Sequence, residues 1–180
     1  MNTNIIMIAG KAGSGKDTAA DYLRDLYSYN KLAFADTLKD FVAQKYSINK
    51  ELMYSQHGKR TVINGITVRE LLIKEANAKK NDYPNFWIDQ LLHKISILKS
   101  RMFRKFVISD FRFINEFNEL NILDDTNITT ILIDRNDNVG KYINDPSETS
   151  LDDFQFNFIV KNNSTIDEFY SLLDSIARQL

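Results

Sequence analysis

The sequence predicts an α/β protein in which helices flank a parallel sheet of five strands. Short, nearly continuous apolar runs alternate with stretches whose apolar residues recur at helical spacing. This alternation favours a doubly wound sheet with right-handed crossovers. A glycine-rich turn separates the first apolar run from the first helical stretch. The chain has 180 residues, 43% of them hydrophobic, which is enough for one sizeable core, so we expect a single domain spanning residues 1–180.

Two strand–helix pairs are predicted in the N-terminal part of the chain. Residues 4–9 form an apolar run that ends at a glycine, as in a strand buried on both faces of a parallel sheet. Residues 16–29 carry alanine, leucine and tyrosine at helical spacing and predict the first helix. Residues 31–36 predict the second strand, and residues 37–46 predict the second helix.

A helical region then interrupts the alternation. Residues 47–65 are polar, contain turn-forming Asn and Gly, and predict a surface loop with a short helix. Residues 67–80 and 84–103 predict two consecutive helices, and we expect Trp87 to be a core residue of the second. We therefore assign about residues 47–103 to a helical region within the domain.

The strand–helix alternation resumes in the C-terminal half. Three apolar runs predict the third, fourth and fifth strands. The polar segments next to these runs predict turns. The predicted elements are strands at 106–110, 128–134 and 156–160, and helices at 115–123 and 165–180.

Charge and composition exclude several classes of function. The net charge is −1 and the pI is about 6.1, so no basic field steers the protein to nucleic acid or to an anionic membrane, and neither partner is predicted. The absence of cysteine excludes disulfides, thiolate zinc sites and a cysteine nucleophile. No secretory signal pattern is present, and no apolar stretch approaches the ~20 residues of a membrane span. We expect a soluble intracellular protein.

The segment GKAGSGKDT, residues 10–18, joins the first strand to the first helix. Such a turn presents backbone N–H groups and the positive end of the helix dipole to a phosphate. Glycines allow positive φ and a close approach to the β-phosphate, and Lys16 would reach the β and γ oxygens. Glycines and a solvated lysine also occur in ordinary tight turns, but strand, glycines, lysine and helix together favour an ATP-binding loop. The predicted donor ligands in this segment are Gly10, Gly13, Ser14, Gly15, Lys16, Asp17 and Thr18.

Asp17 stands where such loops usually carry Ser or Thr, whose hydroxyl binds Mg²⁺. A carboxylate can bind Mg²⁺ directly or through water, and Thr18 supplies a hydroxyl one residue later. Asp17 could instead orient or deprotonate an attacking group. The sequence leaves these alternatives open.

A second charged cluster, SDFRFINE at residues 109–116, begins at the carboxyl end of the third predicted strand, the edge where ligands bind in an open α/β sheet. Asp110 is a candidate for Mg²⁺ or its water shell, Arg112 for phosphate oxygens, and Glu116 for a sugar or base. The same residues are also typical of a helix start, with Asp110 as cap and an ion pair between Arg112 and Glu116 on the surface.

The two motifs, in this order, resemble those of the deoxynucleoside monophosphate kinases of large bacteriophages, which carry Asp after the loop lysine. Animal phosphomevalonate kinase is a more distant resemblance. The bacteriophage family implies a P-loop kinase fold with a helical acceptor-binding insertion and a lid, ATP and Mg²⁺ as cofactors, and a nucleoside monophosphate substrate with the deoxy form favoured. It also implies contacts of Asp110, Arg112 and Glu116 with the monophosphate and the metal. The expected location is the cytoplasm, or the host cytoplasm for a viral protein.

The resemblance implies acceptor contacts in two further segments. FADTLK, residues 34–39, resembles a family segment whose lysine, here Lys39, faces the acceptor nucleotide. VRELL, residues 68–72, resembles a family helix whose arginine, here Arg69, reaches the acceptor phosphate. The family continues with Gly-Thr and an arginine where this chain has EANAKK, so Lys79 and Lys80 are the candidates to replace that arginine.

On the donor side, the resemblance implies three more features. Arg135 ends the fourth predicted strand, and residues 136–153 form a polar segment that corresponds to the lid, with Ser147 and Glu148 matching a family Ser-Glu pair. Asn162 begins a turn that resembles the one bordering the donor adenine.

These observations predict a kinase that transfers the γ-phosphoryl group of ATP to a nucleoside monophosphate. Lys16 and Mg²⁺ would neutralise the donor phosphates, while Arg112, Lys39 and Arg69 would hold the acceptor phosphate. Two alternatives remain: a kinase of another small phosphorylated metabolite, and a nucleotide-dependent ATPase or switch. Asp110 is followed by neither the Asp-x-x-Gly pattern of GTPases nor the glutamate of motor ATPases. Base specificity, ribose preference and homodimerisation stay open.

Overall fold

The computed structural model describes residues 2–55, 57–136 and 149–180. These residues form two compact units. The sheet unit comprises Met1–Ala33 and Ile95–Leu180, and the helical unit comprises Phe34–Lys94. The expectation of one domain spanning the whole chain stays a prediction.

The described elements follow the alternation expected from the sequence. The strands are β1 (Thr3–Ala9), β2 (Asn30–Leu32), β3 (Val62–Ile63), β4 (Ile66–Thr67), β5 (Lys105–Ile108), β6 (Thr126–Asp134) and β7 (Phe158–Lys161). The helices are α1 (Lys16–Tyr27), α2 (Phe34–Tyr46), α3 (Val68–Asp82), α4 (Phe86–Ser100), α5 (Ile114–Asn121) and α6 (Ile166–Ala177). None of the described helices is long and apolar enough to cross a bilayer.

The sheet unit contains a five-stranded sheet in the order β2-β5-β1-β6-β7, and all four neighbouring pairs are parallel. The prediction of a five-stranded parallel sheet is therefore confirmed. β1 is the central strand, and its residues from Ile5 to Ala9 are buried, as expected for a strand covered on both faces. The carboxyl ends of all five strands share one edge of the sheet.

Helices α1 and α6 pack together on one face of this sheet. Ala19, Ala20 and Leu23 form the buried stripe of α1, while Phe169 and Leu173 do the same for α6. Both stripes join Ile6 and Ile8 of β1 in one apolar core. This packing fixes the start of α1 relative to the carboxyl end of β1. The glycine-rich turn connects these two points.

The helical unit has its own core, to which α2, α3 and the turn before the hairpin contribute Val42, Met53, Val68 and Leu71. A reciprocal cap begins α3 at Thr67. The Thr67 backbone N–H donates to the Glu70 carboxylate at 2.8 Å, and the Glu70 N–H donates to the Thr67 hydroxyl at 3.2 Å. The predicted start of this helix at residue 67 is confirmed.

The structure corrects the boundary between the second strand and the second helix. Only Asn30, Lys31 and Leu32 pair with β5, and α2 already begins at Phe34. The prediction of a strand through residue 36 was wrong because its apolar residues are the first buried turn of a helix. Within that turn the Thr37 hydroxyl donates to the Phe34 carbonyl at 2.7 Å.

Between residues 47 and 65 the sequence predicted only loop and short helix. Two short 3-10 turns are present, at Lys50–Met53 and Gly58–Arg60, but β3 and β4 also form an antiparallel hairpin that the prediction missed. Asn64 and Gly65 connect the strands with φ of 50° and 81°, as the two central residues of a type I′ turn require. The Asn-Gly pair was the signal that could have revealed it.

Candidate functional site

The glycine-rich loop of the sheet unit adopts a backbone that only glycine tolerates. Gly10, Gly13 and Gly15 have φ of 145°, 79° and 104°. A Cβ on Gly10 would lie 2.5 Å from the Ile133 carbonyl oxygen, and one on Gly15 would lie 2.6 Å from the Asn162 amide nitrogen. Because α1 begins at the next residue, its first-turn N–H groups and its dipole point toward the loop. The loop has the conformation expected of a phosphate cradle.

Lys16 is held over its own loop. Its ammonium donates to the carbonyl oxygens of Gly10 at 2.5 Å and Lys11 at 2.8 Å. This geometry keeps the charge at the place where the predicted β- and γ-phosphates would lie.

Asp17 is paired with a lysine that the sequence reasoning did not identify. The Lys31 ammonium, on β2, lies 3.0 Å from the Asp17 carboxylate and 3.1 Å from that of Asp21. Burial alone would lower the pKa of Lys31, but hydrogen bonds to these two carboxylates outweigh it and raise the pKa. Lys31 therefore stays charged and offsets the acidic residue that replaces the usual hydroxyl of the loop. No motif in the sequence connects residues 17 and 31.

A cavity of about 460 Å³ opens at the glycine loop. The turns after β6 and β7 contribute Arg135 and Asn162 to its wall, as expected for ligand contacts at the carboxyl edge of the sheet. The Asn162 side-chain amide donates to the Ser14 carbonyl at 2.8 Å, which ties the last turn to the loop. The residues lining the cavity are Gly13, Gly15, Lys16, Asp17, Thr18, Arg135, Asn162, Ser164 and Ile166.

Seven of the nine predicted donor residues thus lie around one cavity, although they come from three separate parts of the sequence. Of the other two, Gly10 lines a neighbouring cavity, and Ser14 is buried. Ser164 belongs to the turn that was expected to border the donor adenine, whereas Ile166 was missed; Ile166 is half exposed and adds an apolar surface next to the polar groups. Nucleotide binding by these residues stays a prediction.

Both predicted magnesium ligands of the loop, Asp17 and Thr18, line this cavity. Within the described residues no three His, Cys, Asp or Glu side chains cluster as a metal cage. Mg²⁺ at kinase sites is held by one or two carboxylates together with substrate phosphates and water, so the donors present fit that ion.

Arg112 lies beside the glycine loop. Together with Gly10 and Lys11 it lines a second cavity, of about 600 Å³, in the same unit. The segment that carries Arg112 is fixed to the sheet because the Phe111 N–H donates to the Ile8 carbonyl at 3.1 Å. Asp110, predicted to act near the metal, is partly buried directly before this anchor.

Glu116 has a structural role in addition to the one predicted. Its carboxylate is 7% exposed and accepts the backbone N–H groups of Arg112 at 2.8 Å and Phe113 at 3.1 Å. These bonds close the first turn of α5 and hold the backbone at Arg112. Phe113, and not Asp110, is the residue that precedes the helix. The predicted contact of Glu116 with a sugar or base stays a prediction.

The helical unit contains a group of basic side chains that includes two of the four predicted acceptor residues, Lys39 and Arg69. The Lys39 ammonium lies 2.9 Å from the Asp36 carboxylate and 4.0 Å from the centre of the Tyr54 ring. Arg69 is exposed in the first turn of α3. Burial lowers the pKa of Lys59, and the positive charges of Lys39 and Arg69 lower it further. Sequence reasoning missed Lys59.

Lys79, a candidate to replace the family arginine, is held against aromatic rings. Its ammonium lies 5.1 Å from the centre of the Phe86 ring and 5.6 Å from that of Phe41. Trp87 is 6% exposed, and its indole N–H donates to the Ala76 carbonyl at 3.3 Å. The expectation that Trp87 is a core residue is confirmed, and the role of Lys79 or Lys80 at the acceptor stays a prediction.

Most of the expected lid lies outside the described residues, including Ser147 and Glu148. One described residue near each end of the expected lid, Asn136 and Ser150, makes a hydrogen bond to the sheet unit. The Asn136 N–H donates to the Asn163 side chain at 2.8 Å, and the Ser150 hydroxyl donates to the Arg112 carbonyl.

Solved structures share this fold. A dephospho-CoA kinase from Campylobacter jejuni superposes with a TM-score of 0.56 at 14% identity, covering 98% of this chain and 96% of that one. The protein TT1252 from Thermus thermophilus gives a TM-score of 0.56 at 18% identity, covering 100% and 99%. The parallel sheet with its glycine loop between β1 and α1 is therefore a fold that this chain shares with those structures.

Sequence comparison specifies the family. The family model for deoxynucleotide monophosphate kinase matches residues 4–82. A protein of Acanthamoeba polyphaga mimivirus, provisionally named a deoxynucleotide monophosphate kinase, is 30% identical over 186 residues, which cover 95% of this chain and 94% of the mimivirus protein. The chain belongs to the deoxynucleotide monophosphate kinase family and is thus a nucleotide kinase, a phosphotransferase.

Proposed function

We propose that the protein transfers the γ-phosphoryl group of ATP to a nucleoside monophosphate, with Mg²⁺ as cofactor and with the deoxy form of the acceptor favoured. The observation that carries the proposal is the 460 Å³ cavity, around which Gly13 and the loop residues Gly15–Thr18 meet Arg135 and Asn162. The family name supports a deoxynucleotide as acceptor.

On the donor side, the glycine loop would wrap the β-phosphate with its backbone N–H groups, and Lys16 would contact the β and γ oxygens. Asp17, Thr18 and Asp110 are the residues that would hold Mg²⁺. When bound, the ion would neutralise charge on the donor phosphates and orient them for transfer. Asn162 and Arg135 would border the base and ribose, with Ile166 as the apolar surface.

On the acceptor side, the residues proposed to hold the monophosphate are Lys39, Arg69 and Arg112, with Glu116 toward the sugar or base. Phosphoryl transfer requires little covalent chemistry from the protein. It requires the two phosphates to be held in line and the charge on the transferring group to be neutralised. Arg112 suits the second task because a guanidinium presents a planar fork to phosphate oxygens.

The test is the formation of ADP from Mg-ATP with a panel of ribo- and deoxynucleoside monophosphates, phosphomevalonate and a control without acceptor. ADP formation that depends on a nucleoside monophosphate and is lost in Lys16→Ala is the expected result. Turnover with phosphomevalonate alone would assign another acceptor class. Turnover that no acceptor changes would identify an ATPase, and the proposed function would then be wrong.

A further inference from the structure

We propose that Lys31 is a positioning residue of the proposed ATP site. By pairing with Asp17 it offsets the negative charge at the start of α1, so that a loop carrying an aspartate can still accept the phosphates of ATP. This inference rests on the proposed function, because it concerns how the same donor is bound. It is carried by the distances from the Lys31 ammonium to two carboxylates, by the position of Lys31 in the sheet and by the location of Asp17 at the cavity.

The first observation is the place of Lys31 in the sheet unit. Lys31 pairs in register with Val107 of β5, and Val107 belongs to the apolar core that includes the buried stripe of α1. Because laterally paired residues of a parallel sheet point to the same face, the Lys31 side chain lies on the α1 side of the sheet. Only 23% of that side chain is exposed. A partly buried ammonium at this position needs negatively charged partners.

The second observation is that Lys31 bridges two carboxylates of α1. Its ammonium lies 3.0 Å from the Asp17 carboxylate and 3.1 Å from that of Asp21. These two aspartates are one helical turn apart, so they lie on the same face of α1 and would repel each other. Asp21 has a second cation, since the Arg24 guanidinium lies 2.6 Å from it. Among the described residues, the cation paired with Asp17 is Lys31.

The third observation is that Asp17 connects Lys31 to the donor site. Asp17 belongs to the first turn of α1 and lines the 460 Å³ cavity together with Lys16 and Thr18, whereas Lys31 is not among the described residues that line it. The Asp17 side chain is 80% exposed, so its charge is open to a ligand in the cavity. Lys31 would therefore act on such a ligand through Asp17 and not by direct contact.

The charge at the start of α1 explains why Asp17 needs a partner. The N-terminus of a helix acts as about half a positive charge, which attracts phosphate. A full negative charge on Asp17, in the first turn of the same helix, opposes an incoming phosphate. The Lys31 ammonium offsets that charge at a distance of 3.0 Å. A Ser or Thr at this position would need no such partner, because its hydroxyl is neutral.

The experiment measures the Kd of ATP by isothermal titration in EDTA, so that binding of Mg²⁺ by Asp17 plays no part. Lys31→Met removes the ammonium and nearly preserves the length of the side chain. We expect it to raise the Kd about threefold to tenfold, the effect of one uncompensated charge close to the phosphates at a partly exposed site. Lys31→Arg should bind ATP within about twofold of the wild type, because a guanidinium also pairs with carboxylates.

Asp17→Asn tests the same interaction from the other side, since it removes the negative charge and keeps Lys31. Its ATP Kd in EDTA should fall below the wild-type value, because no carboxylate then repels the phosphates. In the double variant that combines Asp17→Asn with Lys31→Met, the Kd should return to within about twofold of the wild type. An Asp17→Asn protein that binds ATP more weakly than the wild type, or a double variant as weak as Lys31→Met, would overturn the proposal.

The salt dependence separates a charge effect from a structural one. The Kd of Lys31→Met divided by that of the wild type should approach one when the salt concentration rises from about 0.05 to about 0.5 M, because salt screens exposed charges. A ratio that does not change with salt would show that the substitution deforms the site, and the proposal would be wrong. Lys105→Met is the matched control, because it removes a positive charge from an exposed position of β5, the strand that pairs with β2. It should leave the ATP Kd unchanged at both salt concentrations.

The outcomes distinguish this inference from the function on which it rests. If the wild type and Lys31→Met bind ATP equally well, the role of Lys31 is refuted and the proposed function stands. If the wild type binds ATP neither in EDTA nor with Mg²⁺, the proposed function fails together with the role of Lys31.

Discussion

The glycine loop and the basic group of the helical unit (Lys39, Lys59 and Arg69) are the two places proposed to bind phosphate, and they hold positive charge in two different ways. The loop is one continuous segment that relies on backbone conformation, with Gly10, Gly13 and Gly15 at positive φ and the Lys16 ammonium held by its own loop carbonyls. The basic group relies on side chains from α2, a 3-10 turn and α3. We therefore expect substitutions that add side-chain bulk to weaken ligand binding most at the loop. Substitutions that remove a charge should weaken it most at the basic group.

The largest effect is expected at Arg112, which lines a cavity together with loop residues Gly10 and Lys11. If its guanidinium neutralises the transferring phosphoryl group, Arg112→Ala should reduce kcat by about 10³ to 10⁵, the range found for such arginines. Steady-state ADP formation with saturating substrates measures this. Arg101→Ala, at an exposed position of the same unit, is the control. A decrease of less than tenfold would contradict the assignment of Arg112.

Gly15→Ala tests the backbone part of the comparison. The new Cβ would lie 2.6 Å from the Asn162 amide, at a φ of 104°. Strain and the loss of the Asn162–Ser14 hydrogen bond should together cost about 2 to 4 kcal/mol. We expect ATP affinity to fall about 30-fold or more by titration, while acceptor affinity changes little.

Gly65→Ala is the control for this substitution. Gly65 also has a positive φ, of 81°, but a Cβ there would meet no atom within 4 Å. It should leave ATP affinity unchanged. If both alanine variants bind ATP equally well, the close packing at Gly15 has no role in the donor site.

Lys39→Met tests the charge part of the comparison. Removing this cation should raise the acceptor Kd about tenfold, since a hydrogen bond to a charged group contributes roughly 1.5 to 3 kcal/mol. The ATP Kd should not change. Lys39→Arg should retain most of the affinity, and an acceptor Kd that is the same in the methionine variant and the wild type would exclude Lys39 from the acceptor site.

The smallest effect is expected at Glu75, which supports the helical unit without facing a substrate. Burial alone would raise its pKa, but hydrogen bonds from Lys45 and Tyr46 outweigh it and hold the pKa below its ordinary value of 4.5. Because the folded state lowers this pKa, ionised Glu75 stabilises the fold above about pH 4.5, and the contribution disappears as the pH falls through the folded pKa.

Glu75→Gln should therefore lower the melting temperature by about 2 to 4 °C at pH 7. The difference from the wild type should shrink as the pH is lowered below 4.5 in parallel thermal melts. A difference that is independent of pH would show that the charge of Glu75 does not contribute. Substrate affinities at pH 7 should stay within about twofold of the wild type.

The sequence predicted most elements of the fold because their signals are local. Apolar runs identified the five parallel strands, and helical spacing placed the start of α3 correctly. The wrong predictions concern residues whose secondary structure or role depends on tertiary packing. Phe34 was assigned to a strand by its apolar character, yet it is buried in the first turn of α2. Glu116 could not be recognised as a cap from spacing alone, since the same spacing also suits a surface ion pair.

The glycine loop could be predicted because it is a single nine-residue segment whose backbone conformation is specified locally by glycines and their spacing. The charge interactions of Lys31 and Lys59 could not be predicted from local sequence. Lys31 lies on β2 and meets Asp17 only after the sheet has formed, and the positive charges of Lys39 and Arg69 act on Lys59 from other elements of the helical unit. Charge interactions act through space and not along the chain. The sequence by itself therefore determined the fold class and the glycine loop, and only the tertiary structure decided which distant charges act together.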